Sequence, residues 1–513
     1  MITRRTFFRL SALTAASAQT GSLLSQSSLL SQGSTPVVVE TPLGRLVGEG
    51  RGAVNCFRGV PFAQPPVGPL RFRPPQPATP WKGVRQATTF AGAAPQAGGN
   101  AASHTEDCLY LNVWAPSAPG SYPVFVWVHG GGFTGGEAFD PLFDGTGFAE
   151  RGILVVTVAY RLGVLGFLDM EPLLGASYAG SANNALKDLV AALGWIHENI
   201  SAFGGDPAQV TLGGESAGAK LTDLLMGVPA AKPFFHQMIS ESGGAERIAS
   251  KEESLKVGQG FAAAWKAQMG TPASAVLTAT AEQLIGVQEQ FTRDWPKHFP
   301  LRPEIDGSFI PQAPLEAIKA GASRGKRLLL GTNRDESALF IGPDPAKDPT
   351  ARDVGNLPIA QFQTIEEAYS KLYPEMAAPL RRIRSLSAEE YLVPSVRVLE
   401  AHLTAGGEGF AYRFDFPGEG RFAGLAFHSY ELRFVWEHFG KAVPSDTVRQ
   451  LAVSMHTAWA SFLRGSTPAG PGLPAWPPYT LQAQKTMILD VPSHVEAHPE
   501  EAELALWKGL LNS

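Results

Sequence analysis

Two cysteines in 513 residues, Cys56 and Cys108, are too few for a disulfide framework or a cysteine-rich zinc site. An excess of one charge is lacking as well. Forty-two basic against 47 acidic residues leave a net charge of −5, so neither nucleic acid nor an anionic membrane surface is an expected partner. No apolar run approaches the roughly 20 residues that cross a bilayer, and no integral membrane segment is expected. HExxH, Walker A and paired-cysteine spacings are absent, so neither a metal nor a cofactor is expected. Self-similarity at a period of about 20–50 residues is missing, which excludes solenoids and propellers. Charged residues make up only 17%, low for a disordered chain, and 44% hydrophobic residues can fill a sizeable core. The chain carries 55 Gly and 41 Pro, so it is rich in tight turns. Nothing in the pattern fixes an oligomeric state.

The first 35 residues differ from the rest. Arg4 and Arg5 precede Phe7 and Phe8, a mildly apolar stretch follows, and Ala16-Ser17-Ala18 offers a small-residue cleavage site. This resembles a twin-arginine export signal followed by a Ser- and Gln-rich linker, and it implies a periplasmic or extracellular protein; without it the chain would stay cytoplasmic. A globular region is expected from about Pro36 to the end, as one elaborated domain.

Continuous apolar runs at 124–128, 154–159, 210–212 and 328–330 stand before glycines or helical patterns. Runs without alternation suit strands buried on both faces, as in a parallel sheet. Between two of them Leu186, Leu189, Val190, Leu193, Ile196 and Ile200 repeat at helical spacing. Strand, helix and strand with short links imply right-handed crossovers and an α/β architecture. Residues 250–325 and 345–405 are expected to form mostly helical excursions outside the sheet.

The sharpest motif is Gly214-Glu215-Ser216-Ala217-Gly218, after the run at 210–212 and before Leu221, Leu224 and Leu225. Gly-x-Ser-x-Gly between strand and helix sets a serine on a strained turn at the carboxyl edge of a sheet, with glycines letting the two elements approach. A serine hydroxyl needs a base, and the base needs an orienting group. In hydrolases of this topology the order is Ser, acid, His. Eight histidines follow Ser216, and pattern does not choose among them, although the loop residue His428 fits. Asp335 and Glu336 follow the run at 328–330, where a carboxylate would face the same edge. His129-Gly130-Gly131-Gly132-Phe133, after the run at 124–128, can turn bare amides toward a developing oxyanion. Gly130, Gly132 and Gly135 also match a dinucleotide fingerprint, but that needs a helix at once and an acid ending the next strand. Here 133–144 is not helical in pattern and the next strand runs into Tyr160-Arg161.

These residues resemble the type B carboxylesterase family of cholinesterases and bacterial para-nitrobenzyl esterases, over about Thr41 to Tyr479. The likeness lies in Phe203-Gly204-Gly205-Asp206-Pro207 through Gly218, Glu106-Asp107-Cys108-Leu109-Tyr110-Leu111-Asn112-Val113, Phe57 through Phe72, Tyr160-Arg161-Leu162-Gly163 and Pro471 through Trp476. It implies an α/β-hydrolase fold, a mostly parallel central sheet flanked by helices, with large helical excursions over the active site. It implies a serine carboxylic-ester hydrolase acting on a small-molecule ester, with Ser216 as nucleophile, Glu336 as acid and His428 as base. Gly131, Gly132 and Ala217 would form the oxyanion hole, and Glu215 and Ser242 would be buried groups beside the triad. Arg71 with Glu106, and Arg161 with Asp188, would be structural ion pairs. In cholinesterases a second cysteine pairs with the position of Cys108 and closes a loop bearing a choline-stacking tryptophan. Residues 90–105 hold neither, which argues against choline esters and against a Cys56–Cys108 bridge. Lys220 and Asp223, three apart on one helix, are within reach of each other, and such pairing is favoured over a direct role in catalysis. The alternative is a non-catalytic binding module on the same fold; such modules typically lack a triad member, and all three positions are filled here.

Overall fold

A computed structural model describes residues 34–345 and 359–508. The export-signal reading at residues 3–18 lies outside them. Strand β1 (Thr35–Thr41) opens one sheet, a residue before the expected start of the globular region. With β2 (Gly44–Arg51), β3 (Val54–Pro61) and β5 (Tyr110–Pro116) it forms an antiparallel margin, and β4 (Val84–Gln86) pairs beside β2. The sheet continues through β7 (Leu154–Val158), β6 (Tyr122–Val128), β8 (Gly205–Glu215), β9 (Gln237–Glu241), β10 (Arg327–Asn333), β11 (Glu408–Phe414) and β12 (Lys485–Leu489), each parallel to the next. Antiparallel β13 (His494–Ala497) closes it.

The stretch 124–128 of β6 is apolar at every position because both faces of the strand are covered. In β6, Val124, Val126 and Val128 enter one core, while Phe125 and Trp127 enter the other. The helix Asn184–Asn199 packs Leu186, Leu189 and Leu193 against the first face; the helix Asp446–Leu463 packs Met455 and Trp459 against the second. The expected strands at 124–128, 154–159 and 328–330 fall on β6, β7 and β10. The one expected at 210–212 is far longer. Gly213, Gly214 and Glu215 have no strand propensity, yet β6 and β9 hold the two glycines on both sides and β9 holds Glu215. A Cβ on Gly213 would lie 2.7 Å from the Phe125 ring, so the strand needs a bare residue there.

The helical excursions carry their own start signals. Ser250 with Glu253 and Thr280 with Gln283 form capping boxes on the helices Lys251–Met269 and Ala281–Asp294. Farther along come the helices Ile359–Leu372 and Ala378–Ser387, a π-helical turn at Ala388–Leu392, and the helix Val393–Thr404. Among the described residues no helix is long and apolar enough to cross a membrane.

Candidate active site

Ser216 lies between β8 and the helix Ala217–Met226 with φ 55° and ψ −122°. This strained conformation lifts the side chain out of the turn, and the residue is half-buried. Its N–H donates to Glu241 O at 2.9 Å. The glycines of the motif are needed for contact: a Cβ on Gly218 would meet Val128 O at 2.1 Å, and one on Gly214 would meet it at 2.7 Å. Strand β6 and the helix after Ser216 therefore touch backbone to backbone.

That contact brings the glycine run beyond β6 against the serine. A Cβ on Gly130 would sit 2.8 Å from Glu215 Oε2 and 3.2 Å from Ser216 Cβ. Gly131, at φ 115°, turns so tightly that a Cβ would lie 2.0 Å from Gly135 O. The amides of Gly131, Gly132 and Ala217 donate no hydrogen bond among the described residues, which leaves them available to a ligand. No helix follows the run directly, as the dinucleotide reading would require.

His428 is buried in a loop after β11. Its Nδ1 lies 2.5 Å from Glu336 Oε2, so Nδ1 carries the proton and donates. Glu336, itself fully buried, is fixed through its other oxygen, which accepts from Ser242 Oγ at 2.5 Å and Asn333 N at 2.7 Å. The neighbouring acid points elsewhere: Asp335 accepts from Arg384 Nε at 2.5 Å and Ala426 N at 3.0 Å. Position, rather than residue type, separates the two carboxylates.

On the other side of the ring, Nε2 has no hydrogen-bond partner, and Glu215 Oε1 lies 3.1 Å away. Ser429 Oγ donates to that same oxygen at 2.5 Å. Burial alone would lower the His428 pKa, but the Glu215 and Glu336 carboxylates outweigh it and raise it above the usual imidazole value. Burial raises the Glu215 pKa in turn, against the opposing pull of His428 and Ser429.

The structure thus brings together Ser216, Glu215, Ser242, Glu336, His428 and the Gly131–Gly132 turn. Several neighbours were not expected. Tyr391, on the π-helical turn, packs 4.6 Å from the His428 ring and Phe340 packs 5.2 Å from it, centroid to centroid. Phe299, held at φ 50°, sets its ring 3.0 Å from where a Gly132 Cβ would stand. None of the three lies in a motif; Tyr391 and Phe299 reach the site through the packing of the excursions, and Phe340 sits on the short helix Ala338–Ile341 that follows Glu336.

Both expected ion pairs are formed. Arg161 Nε lies 2.8 Å from Asp188 Oδ2, and Arg71 Nε lies 2.7 Å from Glu106 Oε2. Cys56 and Cys108 are free and buried. The Lys220–Asp223 pair does not form. Lys220 Nζ binds Glu390 Oε1 at 2.6 Å, whereas Asp223 Oδ2 accepts from Ser240 Oγ at 2.9 Å and Gly244 N at 2.6 Å. Both side chains are buried, and each is drawn to a partner on a different packed element.

A parallel sheet with a strained serine at its carboxyl edge and a glycine turn beside it defines an α/β-hydrolase. The pattern described as the carboxylesterase family matches residues 35–507; the chain belongs to that family and is a carboxylic-ester hydrolase. It is 35% identical to the para-nitrobenzyl esterase of Bacillus subtilis (strain 168) over 490 residues, covering 91% of this chain and 97% of that one. It is also 35% identical to the fumonisin B1 esterase of Sphingopyxis macrogoltabida, covering 83% of this chain and 82% of that one. Among solved structures, the Geobacillus stearothermophilus carboxylesterase EST55 superposes with a TM-score of 0.81 at 33% identity, covering 92% of this chain and 100% of that one.

Proposed function

We propose that Ser216, His428 and Glu336 are the catalytic triad of this carboxylic-ester hydrolase, acting on small-molecule esters. The observation that carries the reading is the His428 ring: one nitrogen is bound to a buried carboxylate, and the other is unpartnered beside the residue preceding Ser216. In the free enzyme Ser216 makes no hydrogen bond to Nε2, and such bonds commonly tighten only with substrate in place.

His428 Nε2 takes the proton of the Ser216 hydroxyl as Oγ attacks the ester carbonyl. The carbonyl π electrons move onto oxygen, where the amides of Gly131, Gly132 and Ala217 stabilise the negative charge. As the intermediate collapses, His428 passes its proton to the departing alkoxide and an acyl-serine remains. Water then repeats the cycle: His428 removes its proton, the acid leaves and Ser216 recovers its hydrogen. Glu336 holds the tautomer and stabilises the imidazolium, while Ser242 and Asn333 fix Glu336.

We also infer that residues 36–513 act as one catalytic unit, since the thirteen strands found among the described residues join in one sheet. The arginine pair near the amino terminus supports export before the enzyme acts. The experiment for the triad is Ser216→Ala, expected to lower kcat by roughly 10⁴–10⁶-fold on a p-nitrophenyl ester, with KM much less affected. Turnover close to wild type would remove the mechanism.

A further inference from the structure

The helix Ala217–Met226 carries a charge that the ester chemistry does not use. Lys220 is buried one turn beyond Ser216, and its amide donates to Ser216 O at 2.9 Å. Its ammonium binds Glu390 Oε1 at 2.6 Å and stands 4.3 Å from the centroid of Tyr391. Glu390 and Tyr391 are consecutive on the π-helical turn Ala388–Leu392, a distortion that often marks a functional position. Arg247 binds the same turn through Glu390 and lies 3.5 Å from Glu389. Tyr391 in turn packs on the His428 ring, 4.6 Å from it centroid to centroid. The ring is therefore placed by its packing and by the charges that clamp its backbone.

We infer that Lys220 is a positioning residue for the esterase reaction: it clamps the π-helical turn so that Tyr391 stays against His428, and its charge opposes the imidazolium form. This rests on the triad reading above. The charges that face Lys220 are Glu389, Glu390 and Arg247, with Arg302 behind Arg247, from the excursions, and Glu215, Glu336 and His428 from the sheet edge. Asp223 stands along its own helix. Those facing His428 are Glu215, Glu336 and Lys220. Burial and Arg247 bring the ammonium down to about 7, against the Glu336, Glu389 and Glu215 carboxylates, which favour its charged form. Lys220 is therefore charged over the acid range in which His428 loses its base function. An uncharged side chain there makes the imidazole easier to protonate.

The test is Lys220→Met beside Lys220→Arg, with kcat/KM measured from pH 5 to 9 and Ser216 titrated with an organophosphonate in each protein. In Lys220→Met the acid limb moves up by about half to one pH unit, and plateau kcat falls about 3–10-fold with KM within about twofold. Lys220→Arg keeps the acid limb of the wild type. If the methionine variant does not fold, Glu390→Gln is the reporter. It removes the carboxylate that the ammonium binds at 2.6 Å, so Lys220 loses its proton more readily and the limb moves up, as in the methionine variant. A limb that coincides with wild type in the folded variant overturns the role of Lys220 while labelled Ser216 leaves the triad standing. Wild-type Ser216 that takes no label overturns the triad and this role with it.

Discussion

Replacing Glu215 by Gln is the most discriminating perturbation of the site, because it keeps shape and removes one charge. In the wild type Glu215 Oε1 stands 3.1 Å from His428 Nε2 and is held there by Ser429 Oγ at 2.5 Å. An amide oxygen can accept from Ser429 in the same way. Two full charges 3.1 Å apart at an effective dielectric of about 20 attract by roughly 5 kcal/mol, an upper bound of about 4 pH units on the imidazole. Burial raises the Glu215 pKa, so its carboxylate is only partly charged in acid, and the realised shift is about 1–2 units. The sign follows from the chemistry. Glu215 stabilises the imidazolium; without it His428 loses its proton at lower pH and works as a base there. The acid limb of kcat/KM on a p-nitrophenyl ester therefore moves down. Plateau kcat falls about tenfold, since the imidazolium formed in the transition state loses a counter-charge. An acid limb that stays put, or moves up, would refute the placement of Glu215 against Nε2.

Two other predictions follow from packing and charge. Arg161→Met strands Asp188, a fully buried carboxylate, without its guanidinium; stability in urea should fall by about 3–5 kcal/mol, and a loss below about 1 kcal/mol would show that the pair does little. Gly131→Ala introduces a methyl group 2.0 Å from Gly135 O at a φ of 115°, which displaces the turn. Its kcat should drop by at least about 100-fold while the far-ultraviolet circular dichroism stays that of the wild type, and retained kcat would show that the turn supplies no oxyanion donor.

Local backbone physics wrote much of this protein into short stretches of sequence. A run such as residues 124–128 is apolar at every position because both faces of its strand are buried, and that is visible in five letters. Gly214 through Gly218 is legible for a related reason: a strained turn between touching elements tolerates few residue types. The pairing of Lys220 could not be read in this way. Helical spacing offers Asp223, but the buried ammonium meets Glu390, 170 residues away, on an excursion whose packing no local pattern encodes. Likewise, residue pattern left the acid and the base open, and it was the resemblance to a family that singled out Glu336 and His428. The fold decides physically, because Asp335 and Glu336 follow β10 as neighbours and leave in different directions. Only the second meets the ring of His428, 92 residues on. Tyr391 and Phe299 belong wholly to the tertiary structure. A ring beside an imidazole or an oxyanion turn is set by how separate helices settle on the sheet, and hydrophobic packing specifies volume and shape without leaving a spacing in the chain.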